Sequence, residues 1–449
     1  MARSFDVLII GGGNAGMGVT VATREAGLSV AMVEPAELGG VCPNRGCTPK
    51  KVLVAAAHAL HEIEQAHVHG IRVGKPRLDW PVLIERERAM VAGIPAALAK
   101  VMEKRGVTVM RGEATFVGPN TVSVDGEKVE ARTIVIASGS RPRPLHIPGA
   151  DYLITSDEML SERIQPDSVV FIGGGVIALE FSHVYARAGT KVTILELAPR
   201  LLPGLDADAV AQLHLASEAL GITIETGVKI QSVTKTNGMV HVAYEKGGES
   251  RTVAAVRAVN GAGRIADVEQ LDLDAGGVAH EGVRISIDAF LRSTSNPSVY
   301  VCGDALATTP QLSPVATYEG RLVGRNIVEG PKHVPAYAAI PGCVYTLPEL
   351  ASVGLSEASA RDKGLDFRVS TNDMVGWLNA RTYAETAAWS KVLVENGSDR
   401  IIGAHILGHS GGELIHTFAL AMAHGITATQ LRDTVYAFPT MSSDIRNLL

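Results

Sequence analysis

Residues 5–10 (FDVLII) form a short apolar run, which reads as a strand buried on both faces. The run stops at Gly11-Gly12-Gly13-Asn14-Ala15-Gly16, and a helical stretch follows to about Ala26. Gly27 ends that helix, and 28–33 reads as the next strand, closing on Glu34. The pattern recurs. Residues 168–172 are a strand, Gly173-Gly174-Gly175-Val176-Ile177-Ala178 is the turn, 179–188 is helical, and 191–195 leads to Glu196. Between the repeats lie a helical region at 48–66, a helix-rich stretch at 79–105 and strands ending in 133–138. Ser140-Arg141-Pro142-Arg143-Pro144 reads as a crossover, and 299–304 (VYVCGD) as a strand ending in Gly-Asp. From about 338 the character changes. Strands near 343–354 and 388–407 precede a helix at 411–424 and a C-terminal tail.

These elements predict an α/β chain with two Rossmann-like dinucleotide-binding domains and a C-terminal α+β domain. The expected boundaries are 1–145 with 267–337, then 146–266, then 338–449. A length of 449 residues agrees with about three domains. A net charge of -6 gives no basic footprint, so nucleic acid is not an expected partner. No apolar run has the length of a membrane span, and Asp6 interrupts any signal-like segment, so a cytoplasmic location is expected. Four cysteines in so long a chain are not a disulfide scaffold. One bridge across a loop as small as Cys42–Cys47 would stabilise by roughly 2 kcal/mol, and a reversible redox role explains the pair better.

Each Gly-rich turn brings backbone close to a pyrophosphate at a helix N-terminus, where free N–H groups and the dipole favour anions. Gly11, Gly13 and Gly16 form the first such site, with Glu34 placed to accept from ribose hydroxyls. Gly173 and Gly175 form the second, with Glu196. A carboxylate at 196 repels a 2′-phosphate, so NADH is expected over NADPH, although Arg200 could turn toward a phosphate. Cys42 stands eight residues beyond Glu34, and its segment Gly39-Gly40-Val41-Cys42-Pro43-Asn44-Arg45-Gly46-Cys47-Thr48-Pro49-Lys50-Lys51 places a dithiol directly after the first site.

The dithiol segment, the two turns and the late Gly-Asp strand together resemble the pyridine nucleotide–disulfide oxidoreductases. That family includes glutathione reductase, dihydrolipoamide dehydrogenase and mercuric reductase. The resemblance spans essentially the whole chain, and Cys-x4-Cys with its trailing Pro-Lys is the most specific element. It implies FAD at the first site, a pyridine nucleotide at the second and a homodimer formed through the C-terminal domain. It implies that Cys47 lies against the flavin, that Cys42 faces a small-molecule acceptor, and that electrons from the nicotinamide reach the Cys42–Cys47 bridge through the flavin. Lys50 resembles the lysine that pairs with a glutamate beside the nicotinamide, and Glu180 matches that partner. Asp304 matches the acid that holds the ribityl chain, and Arg264, after Gly263, a residue near the cofactors. Gly40, Ala114, Gly139 and Leu312 complete the implied cofactor contacts.

Three positions depart from the family pattern. Val41 replaces a threonine before the first cysteine, and Val176 a gating tyrosine. The family tail His-Pro-Thr-x-Ser-Glu reads here Phe438-Pro439-Thr440-Met441-Ser442-Ser443, followed by Asp444. In the family that histidine reaches the partner subunit's dithiol and shuttles protons, a contribution of roughly 10²–10⁴-fold in rate. Phe438 cannot do so, and Asp444 stands one residue late. Either Phe438 is interface packing and another base serves, or common symmetrical disulfides are poor substrates. His416 and His424 could approach the interface. His58, His61, His67 and His69 lack the clustering of a metal site, and no metal is expected. Cys302 and Cys343 read as small buried hydrophobes, and Arg45 as a residue that could bind an anion or lower a thiol pKa. The function expected is an FAD- and NAD(P)H-dependent oxidoreductase working through Cys42 and Cys47. The alternatives are reductive thioether cleavage resembling 2-ketopropyl coenzyme M oxidoreductase/carboxylase, which also has Phe at this position, and a slow redox sensor.

Overall fold

Strand Arg3–Ile10 is the centre of the first sheet because its last four residues are almost wholly excluded from water. It pairs in parallel with Val30–Val33 on one side and Glu127–Ile136 on the other. Thr108–Met110 extends the sheet beyond Val30–Val33. The long strand Glu127–Ile136 divides its free edge. Its start pairs antiparallel with Thr121–Val124, and its end pairs in parallel with Val299–Val301. The strand ends on either side of Gly11 thereby converge on one edge. This computed structural model describes residues 3–449, so residues 1 and 2 of the expected 1–145 span lie outside the described residues.

The chain divides into two compact units. The first takes residues up to 50, then 85–143 and 264–336, and holds the sheet just described. Helices Asn14–Glu25 and Ser313–Glu329 pack together in this unit. The second takes 51–84, 144–263 and 337–449. It contains a parallel sheet ordered Thr223–Thr226, Lys191–Glu196, Ser168–Ile172, Arg257–Asn260. It also contains an antiparallel meander, Lys229–Thr236, Met239–Lys246 and Glu249–Ala255. A five-stranded antiparallel sheet follows, ordered Gly342–Val344, Glu349–Gly354, Ile401–Gly408, Trp389–Glu395, Phe367–Asp373. Helix Gly411–His424 buries Leu414, Ile415 and Phe418 against that sheet. The expected α/β class, with two strand–turn–helix repeats and a C-terminal α+β region, is present. The helix-rich stretch at 79–105 is two helices, Trp80–Val91 and Ile94–Lys104.

Candidate functional site

The two Gly-rich turns are built alike. Gly11 has φ +112°, and a Cβ on it would stand 2.2 Å from the Ala137 carbonyl oxygen. Gly173 has φ +109°, and its Cβ would stand 2.3 Å from the Gly261 oxygen. Only glycine tolerates both the dihedral and the contact. A Cβ on Gly16 would stand 2.1 Å from the Gly11 oxygen, whereas Gly13 and Gly175 have nothing nearer than 3.8 Å and 3.9 Å. These two open positions precede helices Asn14–Glu25 and Val176–Arg187 without a side-chain cap, leaving N–H groups for an anion.

Each turn fixes its own acid. The Gly12 N–H donates to Glu34 Oε2 at 2.7 Å and the Ala36 N–H to Oε1 at 3.0 Å. In the second unit the Gly174 and Ala198 N–H groups donate to Glu196 Oε2 and Oε1. Both carboxylates are held at both oxygens, with lone pairs remaining for ribose hydroxyls. Arg200 is occupied elsewhere. Its guanidinium donates to the carbonyls of Leu201, Leu202, Pro203 and Leu205 and so staples its own loop.

The dithiol segment docks on the first turn through a Gly13–Gly39 bridge, in which the Gly39 N–H donates to the Gly12 oxygen at 2.9 Å. Gly40 follows with φ +65°. Val41–Arg45 is one helical turn, and helix Cys47–Gln65 starts after Gly46. Cys42 is half-buried, Cys47 is exposed, and both are free thiols. Cys47, Ser313 and Asn14 lie around the Cys42 sulfur as groups able to donate to it. Those donors outweigh burial and push the Cys42 thiol down to about 6. The Cys42 sulfur, as hydrogen-bond partner and as a negative charge, pushes Cys47 up against the pull of Lys50. The protein's own groups thus favour the first negative charge on Cys42, whereas the resemblance implies it on Cys47.

Around the far side of the turn, Asp304 Oδ2 accepts from the Ser140 hydroxyl at 3.0 Å. Arg264 Nε donates to the Ser140 hydroxyl at 2.9 Å and its Nη2 to the Ser140 carbonyl. Burial raises the Asp304 carboxyl above its usual range, opposed by Ser140 and Arg264. Gly139 (φ +81°) accepts from the Asp267 N–H, Ala114 is buried at a strand start, and Leu312 precedes helix Ser313–Glu329. Sequence reasoning missed Asn14, Ser313, Ser140 and Glu319. Glu319 is wholly buried and accepts from the Gly303 N–H at 2.7 Å, fixing the Gly-Asp turn. A carboxylate in the middle of an otherwise core-facing helix was the only available signal.

In the second unit, Glu180 is buried and its Oε1 accepts from the Tyr345 N–H at 2.9 Å. Lys50 lies in the first unit, and Gly263 closes the second unit's segment just before Arg264. Phe438 is 74% exposed. Ser443 is buried and its hydroxyl donates to the Thr440 carbonyl, while Asp444 accepts from Asn379 Nδ2 at 2.8 Å. No carboxylate among these is free to orient a base at position 438. His416 and His424 are exposed on helix Gly411–His424. His405 is buried and held by Ser352 and Leu355. His409 Nδ1 meets Glu385 Oε1 at 3.1 Å under the Tyr383 ring, a pair not foreseen. Cys302 is fully buried, which pushes its thiol well up and leaves it inert. Among the described residues, no group of three or more His, Cys, Asp or Glu side chains is arranged to hold a metal, and no helix is long and apolar enough to cross a membrane.

Two glycine turns, each holding an acid at both oxygens, with a dithiol docked on the first, are the parts of a two-nucleotide dithiol oxidoreductase. The pyridine nucleotide-disulphide oxidoreductase family matches residues 5–320, and that family's dimerisation domain matches 340–449. The chain is 33% identical to the dihydrolipoyl dehydrogenase of Chlorobaculum tepidum, covering 99% of this chain and 96% of that protein. It is 31% identical to the glutathione reductase of Burkholderia cepacia, covering 99% and 98%. Among solved structures, the HOCl-induced flavoprotein disulfide reductase RclA from Escherichia coli superposes with a TM-score of 0.87 at 26% identity, covering 99% of both chains. The chain belongs to the class I pyridine nucleotide–disulfide oxidoreductases, enzymes that act on disulfides with FAD and a pyridine nucleotide.

The residues of the first unit fit FAD. Ser138 Oγ and Asn44 Oδ1 are buried without a hydrogen-bond partner, and Ser138 lies between Ala137, which touches Gly11, and Gly139. Together with the open Gly13 and the doubly held Glu34, they form a polar cradle for a dinucleotide. Bound there, FAD supplies a ring that accepts hydride from a pyridine nucleotide and exchanges electrons with a dithiol.

Proposed function

We infer that this chain is an NADH-oxidising, FAD-dependent reductase that passes two electrons through Cys42 and Cys47 to an acceptor other than a common symmetrical disulfide. The observation that carries this reading is the Cys42–Cys47 pair docked on the first glycine turn. The acceptor assignment rests on the tail, where an exposed Phe438 and a tied Asp444 supply no acid–base group. Glu34, Gly11, Gly13, Gly16, Gly40, Ala114, Gly139, Arg264, Asp304 and Leu312 serve the flavin site. Gly173, Gly175, Glu196 and Gly263 serve the nucleotide site, with Lys50 and Glu180 beside the nicotinamide. The preference for NADH over NADPH follows from Glu196 held at both oxygens and from Arg200 being committed to its own loop. The dimerisation domain and the exposed side chains Leu420, Val435 and Phe438 support a homodimer. Use of a pyridine nucleotide favours a cytoplasmic location.

Anaerobic NADH titration tests the reading, followed by a panel of glutathione disulfide, lipoamide, persulfides, quinones and metal ions. The expected result is uptake of two electrons beyond FAD alone, lost in Cys47→Ser, with NADH effective at lower concentration than NADPH. Unchanged uptake in Cys47→Ser would refute the dithiol role, and equal use of NADPH would refute the nucleotide assignment.

A further inference from the structure

Ser140–Pro142 and Arg264–Ala266 are short strands paired antiparallel inside the first unit. They carry the chain out of that unit after residue 143 and back into it at 264. The pair is pinned around Ser140. The Asp267 N–H donates to the Gly139 carbonyl at 3.0 Å, and Arg141 is engaged by Asp267 at 3.5 Å and by Glu269. Arg264 reaches Ser140 twice, through Nε to the hydroxyl at 2.9 Å and through Nη2 to the carbonyl. Valence then fixes the direction of that hydroxyl. Arginine has donors and no acceptor, so the Ser140 oxygen accepts from Arg264, and its single hydrogen is left for Asp304 Oδ2, 3.0 Å away. Ser140 is itself buried, which keeps water from competing for that hydrogen. Glu319, the buried carboxylate behind the same turn, accepts from the Gly303 N–H at 2.7 Å.

We propose that Ser140 is a positioning residue of the flavin site, relaying the Arg264 charge to Asp304 so that the carboxylate stays ionised and keeps Oδ1 for a ligand hydroxyl. This rests on the assignment of FAD to the first unit. A direct bidentate Arg264–Asp304 pair would engage both carboxylate oxygens. With Ser140 between them, the guanidinium meets the Ser140 hydroxyl and carbonyl instead, and the carboxylate gives up one oxygen only. Ser140 and Arg264 also oppose burial, which acts to protonate Asp304. Removing the relay raises the pH at which the carboxyl takes its proton. A charged acceptor holds a hydroxyl more strongly than a neutral one. A protein without the relay therefore loses flavin as the pH falls, in a range where the wild-type protein keeps it.

The test is FAD retention by the purified holoenzyme, read as free-flavin fluorescence in the filtrate after dilution and ultrafiltration between pH 5.5 and pH 8.5. Ser140→Ala should raise the FAD dissociation constant about fivefold to tenfold at pH 5.5, the gap between a charged and a neutral acceptor, and less at pH 8.5. Ser140→Thr, which keeps the hydroxyl, should retain the wild-type profile. Arg264→Met removes the source of charge and leaves Ser140 in place, so it should steepen the pH dependence in the same way. The double variant should be little worse than either single one, because both act through one bond. Losses that multiply in full in the double variant overturn the relay. So does a Ser140→Ala protein with the wild-type profile, or one whose loss is equal at both pH values, as general structural damage would give. Where Ser140→Ala fails to fold, an Arg264→Met protein with the wild-type profile overturns it alone. Neither NADH nor the dithiol enters the measurement. FAD held with unaltered profiles refutes the relay only, whereas a wild-type protein that binds no FAD at any pH refutes the flavin assignment and the relay with it.

Discussion

Phe438→His should raise the rate at which the reduced enzyme gives electrons to glutathione disulfide or lipoamide. Phe438 is 74% exposed within the single chain, so the exchange should change the chain's own stability by less than about 0.5 kcal/mol. The gain should fall near the lower end of the roughly 10²–10⁴-fold range for general acid–base catalysis, since no carboxylate is placed to orient the ring. A factor of 10² corresponds to about 2.7 kcal/mol off the barrier. Adding Ser443→Glu supplies the acid but forfeits the 2.6 Å hydrogen bond from the Ser443 hydroxyl to the Thr440 carbonyl, about 1 kcal/mol. Ser443 is 7% exposed, so the new carboxylate must also escape burial or pair with the imidazole. The double variant should therefore be faster than Phe438→His and melt at a lower temperature. Stopped-flow measurement of the two half-reactions separates the effects. Reduction by NADH should be unchanged. Reoxidation by the disulfide should accelerate and gain a pH inflection near the imidazole range of about 6.5. A wild-type enzyme that already reoxidises with either disulfide as fast as Phe438→His would refute the reasoning, and another residue would then supply the proton.

Gly320→Ala should part helices Asn14–Glu25 and Ser313–Glu329, because its Cβ meets backbone at 2.1 Å. Overpacking should cost about 1–3 kcal/mol by chemical denaturation, and an unchanged unfolding midpoint would contradict the close crossing. Lys391 is buried with Nζ at 3.2 Å from Asp206, 2.5 Å from Asp208 and 2.8 Å from Glu357. Lys391→Met should destabilise by about 3 kcal/mol, the low end for a broken buried pair because Asp208 is largely exposed, and a loss below about 1 kcal/mol would argue against it. Glu385 raises the His409 pKa in the folded state. That pair contributes stability fully below the unfolded value of about 6.5 and loses it as pH rises through the folded value. Glu385→Gln should therefore narrow the difference in melting temperature between pH 5.5 and pH 8.5, and an unaltered difference would count against the pairing.

The parts of this molecule that were readable in the sequence are those whose physics is local. Gly11 and Gly173 sit at a strand end because the backbone must pass within van der Waals contact of a neighbouring strand, and such a turn repeats wherever the motif repeats. The Cys42–Cys47 spacing was equally local. The polar shell was not readable. Asn14 meets Ser313 across 299 residues, and Ser140 meets Asp304 across 164. Neither pair leaves a periodic trace, since each depends on how helices and strands stack after the chain has folded. The Arg200 ambiguity had the same origin. A guanidinium near a nucleotide site reads as a phosphate ligand until four of its five donors are found bound to loop carbonyls.

The proximity of the two reduced sulfurs also fixes a stoichiometry. The neighbouring donors lower the Cys42 thiol and the Cys42 charge raises Cys47, so between the two ionisations the reduced pair stores two electrons but only one proton. Within that range the midpoint potential should fall by about 30 mV per pH unit, half the slope of a pair that stores two protons. Oxidation near neutrality releases one proton rather than two. The driving force available to the acceptor is thereby less sensitive to acidity than that of an ordinary dithiol.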